Sequence, residues 1–210
     1  MIRSSLAWVL APLLMASAQP RNRVEYLSAT LGEVVRGSRD PVAYLTPDVL
    51  ANGERAAKEL LGMDRPTAIP EDRWEADRAA AYKTLGWAGI MSGDGEGAER
   101  AFLKCLQITP SDAEVSYEVV RSIYIQRAPA REPDAIFHLA RAAVYEGPGA
   151  LSASRREGME MTLKSSYERY HGRDPAGLEN IKSLARTRAL PPPGFTIVAR
   201  PGVLNPPVAR

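Results

Sequence analysis

The sequence has only one cysteine, Cys105, among its 210 residues. A single cysteine forms no disulfide within its own chain and supplies no cysteine-rich zinc site, which excludes a disulfide-stapled scaffold. Cys105 stands beside Phe102 and Leu106 in a stretch of helical periodicity. We therefore predict that it is a small apolar residue of the core, with a reactive or intermolecular thiol as the alternative.

Histidine and an excess of charge of one sign are also lacking. The two histidines, His138 and His171, do not lie one helical turn from a second histidine or a cysteine, so we predict no metal site. The net charge is +2 and no run of lysine and arginine forms a basic stripe, which argues against nucleic acid as a partner. No nucleophile motif of the Gly-x-Ser-x-Gly type is present. We expect no catalytic site.

One glycine-rich segment, Gly93 to Ala98, matches the spacing of a dinucleotide-binding fingerprint. That motif needs a preceding strand and a phosphate-accepting turn, whereas here a helical pattern precedes it and Asp94 and Glu96 would repel phosphate. The segment is interpreted as a turn between helices. No cofactor is predicted.

The first residues have the composition of an export signal. Arg3 is followed by an apolar stretch from Leu6 to Met15 and by the small residues Ala16 and Ala18, which suit signal peptidase. We predict a signal peptide over residues 1–18 and a periplasmic or secreted protein with no stable membrane insertion after cleavage. An uncleaved membrane anchor is the alternative, although the apolar stretch is short for a bilayer crossing.

Apolar residues in the remaining chain recur at intervals of three and four, which indicates amphipathic helices. Glycine, proline and capping residues punctuate this pattern. An alternating pattern is confined to the last few residues, where Phe195 and Ile197 are expected on one side of an extended segment that covers helix ends. The predicted helices span residues 24–37, 47–61, 71–91, 98–108, 113–126, 133–145, 151–170 and 175–185.

These helices form pairs that recur about every 34 to 40 residues, a period typical of stacked helix hairpins. Residues 79–112 form a unit of 34 residues that holds Tyr82, Leu85, Gly86, Ala98, Phe102 and Pro110 at fixed distances. In this pattern the unit resembles a tetratricopeptide repeat. The stretches Phe137–Ala142, Tyr170–Gly172 and Pro192–Phe195 also resemble a group of bacterial exported repeat proteins. Gly89 departs from the repeat, which prefers tyrosine there, and we expect a gap that a neighbour must fill.

The resemblance weakens along the chain. Residues 113–147 form a second unit with a longer turn, and residues 151–188 form a degenerate third unit. The implied fold is all-α: a short right-handed superhelix of antiparallel hairpins over residues 71–188. An N-terminal helical hairpin (19–70) precedes it and a proline-rich tail (189–210) follows it.

Proteins of this repeat family bind ligands in a concave groove lined by the first helix of each hairpin. The resemblance therefore implies a peptide or protein partner docked in that groove, where aromatic and arginine side chains favour binding. The alternative is that the N-terminal helices (22–62) fill the groove. The candidate groove residues are Lys83, Trp87, Met91, Tyr117, Arg121 and Tyr124.

These observations predict an exported adaptor or scaffold that binds a protein or peptide and catalyses no reaction. The competing interpretation is a noncatalytic accessory subunit with a self-filled groove, acting through its convex face or its tail.

Overall fold

A computed structural model describes residues 11–38 and 45–201, with side chains from residue 21 onward except Ser38. Within these ranges the chain contains eight α-helices, one short 3-10 helix and no strand, so the prediction of an all-α protein is confirmed. The predicted signal peptide lies partly, and the end of the proline-rich tail wholly, outside the described residues. The helices are α1 (Ala11–Ser38), α2 (Pro47–Leu61), α3 (Glu71–Ser92), α4 (Gly95–Ile108), α5 (Ala113–Gln126), α6 (Glu132–Val144), α7 (Ala153–Tyr170) and α8 (Pro175–Thr187).

Short polar side chains begin most of these helices, as the sequence predicts. The Thr46 hydroxyl accepts a hydrogen bond from the Val49 amide (3.3 Å) ahead of Pro47, and Asp112 accepts one from the Val115 amide (3.3 Å). Asp174 does the same for the Gly177 amide (3.0 Å). Each bond satisfies an amide that has no partner within its helix.

Four predicted helix starts are wrong. Helix α1 begins at Ala11 instead of residue 24, and the other three starts differ by one to three residues. Helix α4 begins at Gly95 instead of residue 98, because the Asp94 carboxylate accepts the Gly97 amide hydrogen bond at 2.8 Å. Helix α6 begins at Glu132 after a 3-10 helix, Pro129–Arg131, where a loop was predicted. Helix α7 begins at Ala153 because Ser152 is its N-cap.

The chain divides into two compact units, residues 1–84 and 85–210, and the division falls inside α3. In the first unit α1 packs against α2 through Val24, Leu27, Leu31 and Val34, which are buried. Gly53 lets the two helices approach, because a Cβ at that position would overlap the Val34 side chain. Arg23 on α1 binds both Glu59 carboxylate oxygens on α2, at 2.6 and 2.5 Å.

In the second unit helices α4 to α7 pack in succession, and α8 packs on α6. Helix α4 packs on α5, α5 on α6, and α6 on both α7 and α8. The centre of this core is formed by Phe102 and Phe137, which are fully buried. The C-terminal segment after α8 adds the Phe195 ring, which meets Phe137 edge to face with centroids 5.3 Å apart.

Small residues allow the last turns of α3 to lie close to α4. A Cβ at Gly86 would overlap the Phe102 ring, and one at Gly89 would lie 2.9 Å from the Ala98 amide nitrogen. Gly86 and Ala98 are thus small at the helix approach, as predicted. The space expected at Gly89 is filled by a neighbour, as predicted, and that neighbour is the α4 backbone at Ala98.

The extended segment after α8 also agrees with its pattern. Ile197 is buried, whereas Val198 beside it is exposed. The Arg200 amide donates a hydrogen bond to the Tyr170 carbonyl at 2.8 Å, and the Val198 carbonyl lies 2.6 Å from His171 Nδ1. The segment therefore covers the end of α7, as the alternation of Phe195 and Ile197 predicts.

Candidate functional site

Trp87 on α3 and Arg121 on α5 form the contact that joins the two helices of the predicted groove in the second unit. The Arg121 guanidinium carbon lies 5.3 Å from the centroid of the Trp87 ring, within the range of a cation–π interaction. The indole also meets the Phe102 ring edge to face, with centroids 6.2 Å apart. Trp87 is therefore held between the core and a cation.

A second interaction orients Arg121. Its Nη1 donates a hydrogen bond to the Glu118 carboxylate at 2.8 Å, and Glu118 is buried. The guanidinium itself is about two-fifths exposed, with 39% of the side chain accessible. A charge that is already positioned and partly exposed loses little conformational entropy when it binds an anionic group.

The candidate residues differ in how much of each a ligand can reach. Trp87 and Lys83 are buried, and Lys83 belongs to the first unit, whereas the others belong to the second. Tyr117 and Arg121 are partly exposed. Met91 is 64% exposed and Tyr124 is 39% exposed, so these two offer the largest accessible apolar areas of the set.

Helical spacing places the exposed residues beside the Trp87–Arg121 contact. Met91 follows Trp87 by four residues on α3, and Tyr124 follows Arg121 by three residues on α5. Residues at these intervals share one side of a helix. We call the surface made by Trp87, Met91, Tyr117, Arg121 and Tyr124 the α3–α5 face.

Tyr124 also borders a cavity that the sequence did not reveal, and we call it the Tyr124 cavity. Its volume is about 660 Å³, within the range of small-molecule sites. The end of α5, the following 3-10 helix, the end of α7 and the C-terminal segment enclose it. The lining residues are Ile123, Tyr124, Arg127, Ala128, Pro129, Glu132, Arg169, Tyr170, Arg200 and Pro201.

The charges around this cavity are unbalanced. Arg169 donates a hydrogen bond to Glu132 at 2.6 Å, so one positive charge is compensated. Arg127 and Arg200 make no ion pair with any residue that the structure describes. Two cationic side chains thus border the cavity without a neighbouring carboxylate of their own.

The backbone at Arg127 is unusual. It adopts φ 51° and ψ 36°, the left-handed conformation, and is the one non-glycine residue with positive φ in the described ranges. This conformation ends α5 and is normally taken by glycine or asparagine. An arginine there carries a backbone cost of order 1 kcal/mol. Strained residues of this kind cluster at binding sites.

Tyr124 is polar at its tip and apolar along its ring. Its hydroxyl lies 3.3 Å from the Ser166 hydroxyl on α7. Burial raises the pKa of the Tyr124 phenol, and the hydrogen bond with Ser166 opposes that shift. The phenol therefore remains neutral at physiological pH and acts through hydrogen bonding and ring contact.

Of the other residues considered from the sequence, Cys105 and His138 lie in the helical core, whereas His171 lies at a helix end and is partly exposed. Cys105 is buried, with its Sγ 3.5 Å from the Thr109 hydroxyl oxygen. His138 is buried on α6, and His171 follows the last residue of α7, the position predicted for it. Across the described residues no three histidine, cysteine or acidic side chains come close enough to hold a metal ion.

Sequence reasoning missed the cavity because its parts come from distant positions. Arg127 and Arg200 belong to a helix end and to a proline-rich segment, and neither shows helical periodicity. The left-handed conformation of Arg127 also has no sequence signal, because glycine or asparagine usually marks it. The run Arg127-Ala-Pro was only recognisable as a loop.

Comparisons with known proteins identify no protein similar to this chain. No protein-family model, no curated protein and no solved structure matches this chain. Within residues 11–38 and 45–201, none of the helices combines the length and the hydropathy that a bilayer crossing requires.

Proposed function

We propose that the protein is a noncatalytic interaction module of the tetratricopeptide type that binds a peptide or protein partner on the α3–α5 face. One observation carries this proposal. Six large apolar or aromatic side chains are exposed among the described residues, and two of them, Met91 and Tyr124, lie one helical turn after Trp87 and Arg121. Exposed apolar groups around an oriented arginine are the composition of a binding surface.

The packing of the α3–α4 hairpin supports the repeat type. Gly86 and Ala98 occupy the positions where this repeat has small residues, and each lies at the close approach of the two helices. Phe102 occupies the phenylalanine position of the repeat and is fully buried. A rigid hairpin of this kind presents its exposed face with little movement, which lowers the entropic cost of binding.

Selection of peptides from a random library tests the proposal. We expect synthetic versions of the selected peptides to bind the protein, and Met91→Gln to weaken their affinity about tenfold through loss of apolar contact. Met161→Gln is the matched control, since Met161 on α7 is 70% exposed and lies outside the α3–α5 face. The affinity of the Met161→Gln variant for the selected peptides should stay within twofold of the wild-type value.

Equal affinities for the two variants would reject the α3–α5 face as the binding surface. Binding that depends instead on residues after α8 would favour the accessory-subunit interpretation, in which the tail contacts the partner.

We also propose that the protein is exported, with residues 1–18 removed as a signal peptide. The support is the sequence pattern of a charged start, an apolar stretch and small residues before Gln19. N-terminal sequencing of the protein from a bacterial envelope fraction is expected to begin at Gln19. A chain that retains Met1 in that fraction would favour the uncleaved anchor.

A further inference from the structure

The Tyr124 cavity combines two features that a merely structural void does not need. Its walls are largely apolar, from Ile123, Pro129 and Pro201, and two tyrosine rings complete them. Its border carries Arg127 and Arg200 without ion-pair partners among the described residues. Concave sites with apolar walls and a few convergent charges are typical of small-molecule binding.

The charged side chains at the cavity border determine whether an anion or a cation would bind there. Glu132 is engaged by Arg169 at 2.6 Å, so it adds no free negative charge to the border. Arginine presents paired N–H donors that match the oxygens of a carboxylate or a phosphate. A cationic ligand would meet two uncompensated positive charges. The electrostatics favour an anion.

The size and the walls of the cavity indicate what kind of body the anionic group should carry. A volume of about 660 Å³ exceeds what a single inorganic anion fills. The tyrosine and proline walls favour an aromatic or aliphatic body, because burying apolar surface there releases water. The Tyr124 hydroxyl is already bonded to Ser166, so the ring is fixed as a wall.

The backbone of Arg127 adds an independent observation. Helix α5 ends with this arginine in the left-handed conformation, where glycine costs less. Glycine would end the helix equally well but would remove the charge. Arginine at this position places a positive charge at the cavity border that glycine would lack.

We propose that the Tyr124 cavity binds an amphipathic organic anion, with Arg127 and Arg200 holding its carboxylate or phosphate and the tyrosine and proline walls contacting its apolar body. The site is distinct from the α3–α5 face except for Tyr124, and it does not depend on a peptide binding there. Arg200 and Pro201, which follow the last helix, line this site, so the proposal gives the C-terminal segment a role in binding the anion.

Titration of 15N-labelled protein with 4-phenylbutyrate tests the site. We expect saturable amide shifts at Arg127, Glu132 and Tyr170, and about tenfold weaker binding of the neutral analogue 4-phenylbutanamide. Phenyl phosphate is the second anionic probe. Tighter binding of phenyl phosphate assigns the site to phosphates, and tighter binding of 4-phenylbutyrate assigns it to carboxylates.

Point variants separate charge from folding. Arg127→Gln and Arg200→Gln should each weaken binding of the preferred anion about fivefold, whereas Arg100→Gln, on the exposed surface of α4, should leave it unchanged. Arg127→Gly should weaken binding and raise the melting temperature, because glycine relieves the left-handed backbone. A variant that only damaged the fold would lower both.

The proposal is overturned if the neutral amide binds as tightly as the acid, or if both arginine variants retain wild-type affinity. It is also overturned if the amide shifts fall away from the cavity, or if no probe produces saturable shifts. Loss of peptide binding in Met91→Gln has no bearing on these outcomes, so the two proposals fail separately.

Discussion

The most demanding position at the scale of single residues is Gly89, where the backbone of α4 touches α3. A methyl group added there would lie 2.9 Å from the Ala98 amide nitrogen and 3.0 Å from its Cα, closer than real contacts. Backbone atoms within a helix move only together with the helix. The hairpin can therefore not absorb the added volume locally.

We expect Gly89→Ala to lower the free energy of unfolding by about 1 to 3 kcal/mol through overpacking. Gly158→Ala on α7 is the matched control, because nothing lies within 4 Å of its added Cβ. This control should gain about 0.5 to 1 kcal/mol, the ordinary advantage of alanine over glycine in a helix. Chemical denaturation measures both values. A gain in stability for both variants would show that α3 and α4 are not in close contact.

Burial of His138 makes the stability of the fold depend on pH. It is 1% exposed, and its Nδ1 has no hydrogen-bond partner among the described residues. Burial, assisted by the positive charges of Arg131 and Arg141, lowers the pKa of His138 from 6.5 to about 3. The folded protein therefore keeps this imidazole neutral.

The unfolded chain protonates His138 at its ordinary pKa of 6.5, before the folded protein does. Stability from this residue is complete above pH 6.5 and is lost as the pH falls toward 3. We expect urea unfolding to show that the wild type loses about 2 to 3 kcal/mol more than His138→Leu between pH 7 and pH 4.5. Equal losses in the two proteins would show that the imidazole accepts a proton in the folded state.

At the scale of helices, Arg141 links three elements of the second unit. Its Nη1 donates hydrogen bonds to the carbonyls of Ala185 and Arg186, and its Nη2 donates to the Pro110 carbonyl, each at 2.9 Å. These carbonyls end α8 and follow the end of α4, where helix carbonyls lack partners of their own. The Tyr145 ring lies 3.7 Å from the guanidinium carbon and covers it.

We expect Arg141→Met to lower the free energy of unfolding by about 2 to 4 kcal/mol, because three carbonyls lose a charged donor. Amide exchange near Ala185 should quicken in the same variant, since the end of α8 loses its anchor. Arg100→Met is the control and should change the free energy of unfolding by less than about 0.5 kcal/mol, because the Arg100 side chain is 71% exposed and its ion pair with Glu96 lies in solvent. A loss below about 0.5 kcal/mol for Arg141→Met would contradict the bridging role.

The helices themselves were largely predictable from local chemistry. Thr46 before Pro47 and Asp112 before Ala113 have side chains that cap amides three residues ahead, and the structure begins helices at both places. Helix α4 starts earlier than predicted because glycine at positions 95 and 97 resembles a turn. A capping carboxylate outweighs the low helix propensity of those glycines.

Arg141 and the Tyr124 cavity were not predictable, for a different reason. Arg141 lies in an apolar stretch of α6 that resembles an ordinary core face, and its partners are backbone carbonyls. Every residue has a backbone carbonyl, so the sequence gives no indication of which carbonyls Arg141 will bind. The cavity likewise depends on the position of the segment after α8 against the end of α7. The alternation around Phe195 was the one sequence feature that indicated such packing.

At the scale of the whole molecule, the second unit combines a rigid helical core with two candidate surfaces. The core is joined by Phe102, Phe137 and the Arg141 bridge. One surface is the α3–α5 face, which we propose binds a peptide or protein. The other is the Tyr124 cavity, which the C-terminal segment helps to enclose. Both surfaces depend on the same helix, α5.

Hydrogen–deuterium exchange of the protein with a selected peptide tests the central claim, binding on the α3–α5 face, most directly. We predict slower exchange in residues 85–92 and 117–124 when the peptide is bound, with residues 153–165 of α7 unchanged. Protection confined to α7, to α8 or to the segment after it, with none in residues 85–92, would contradict the claim.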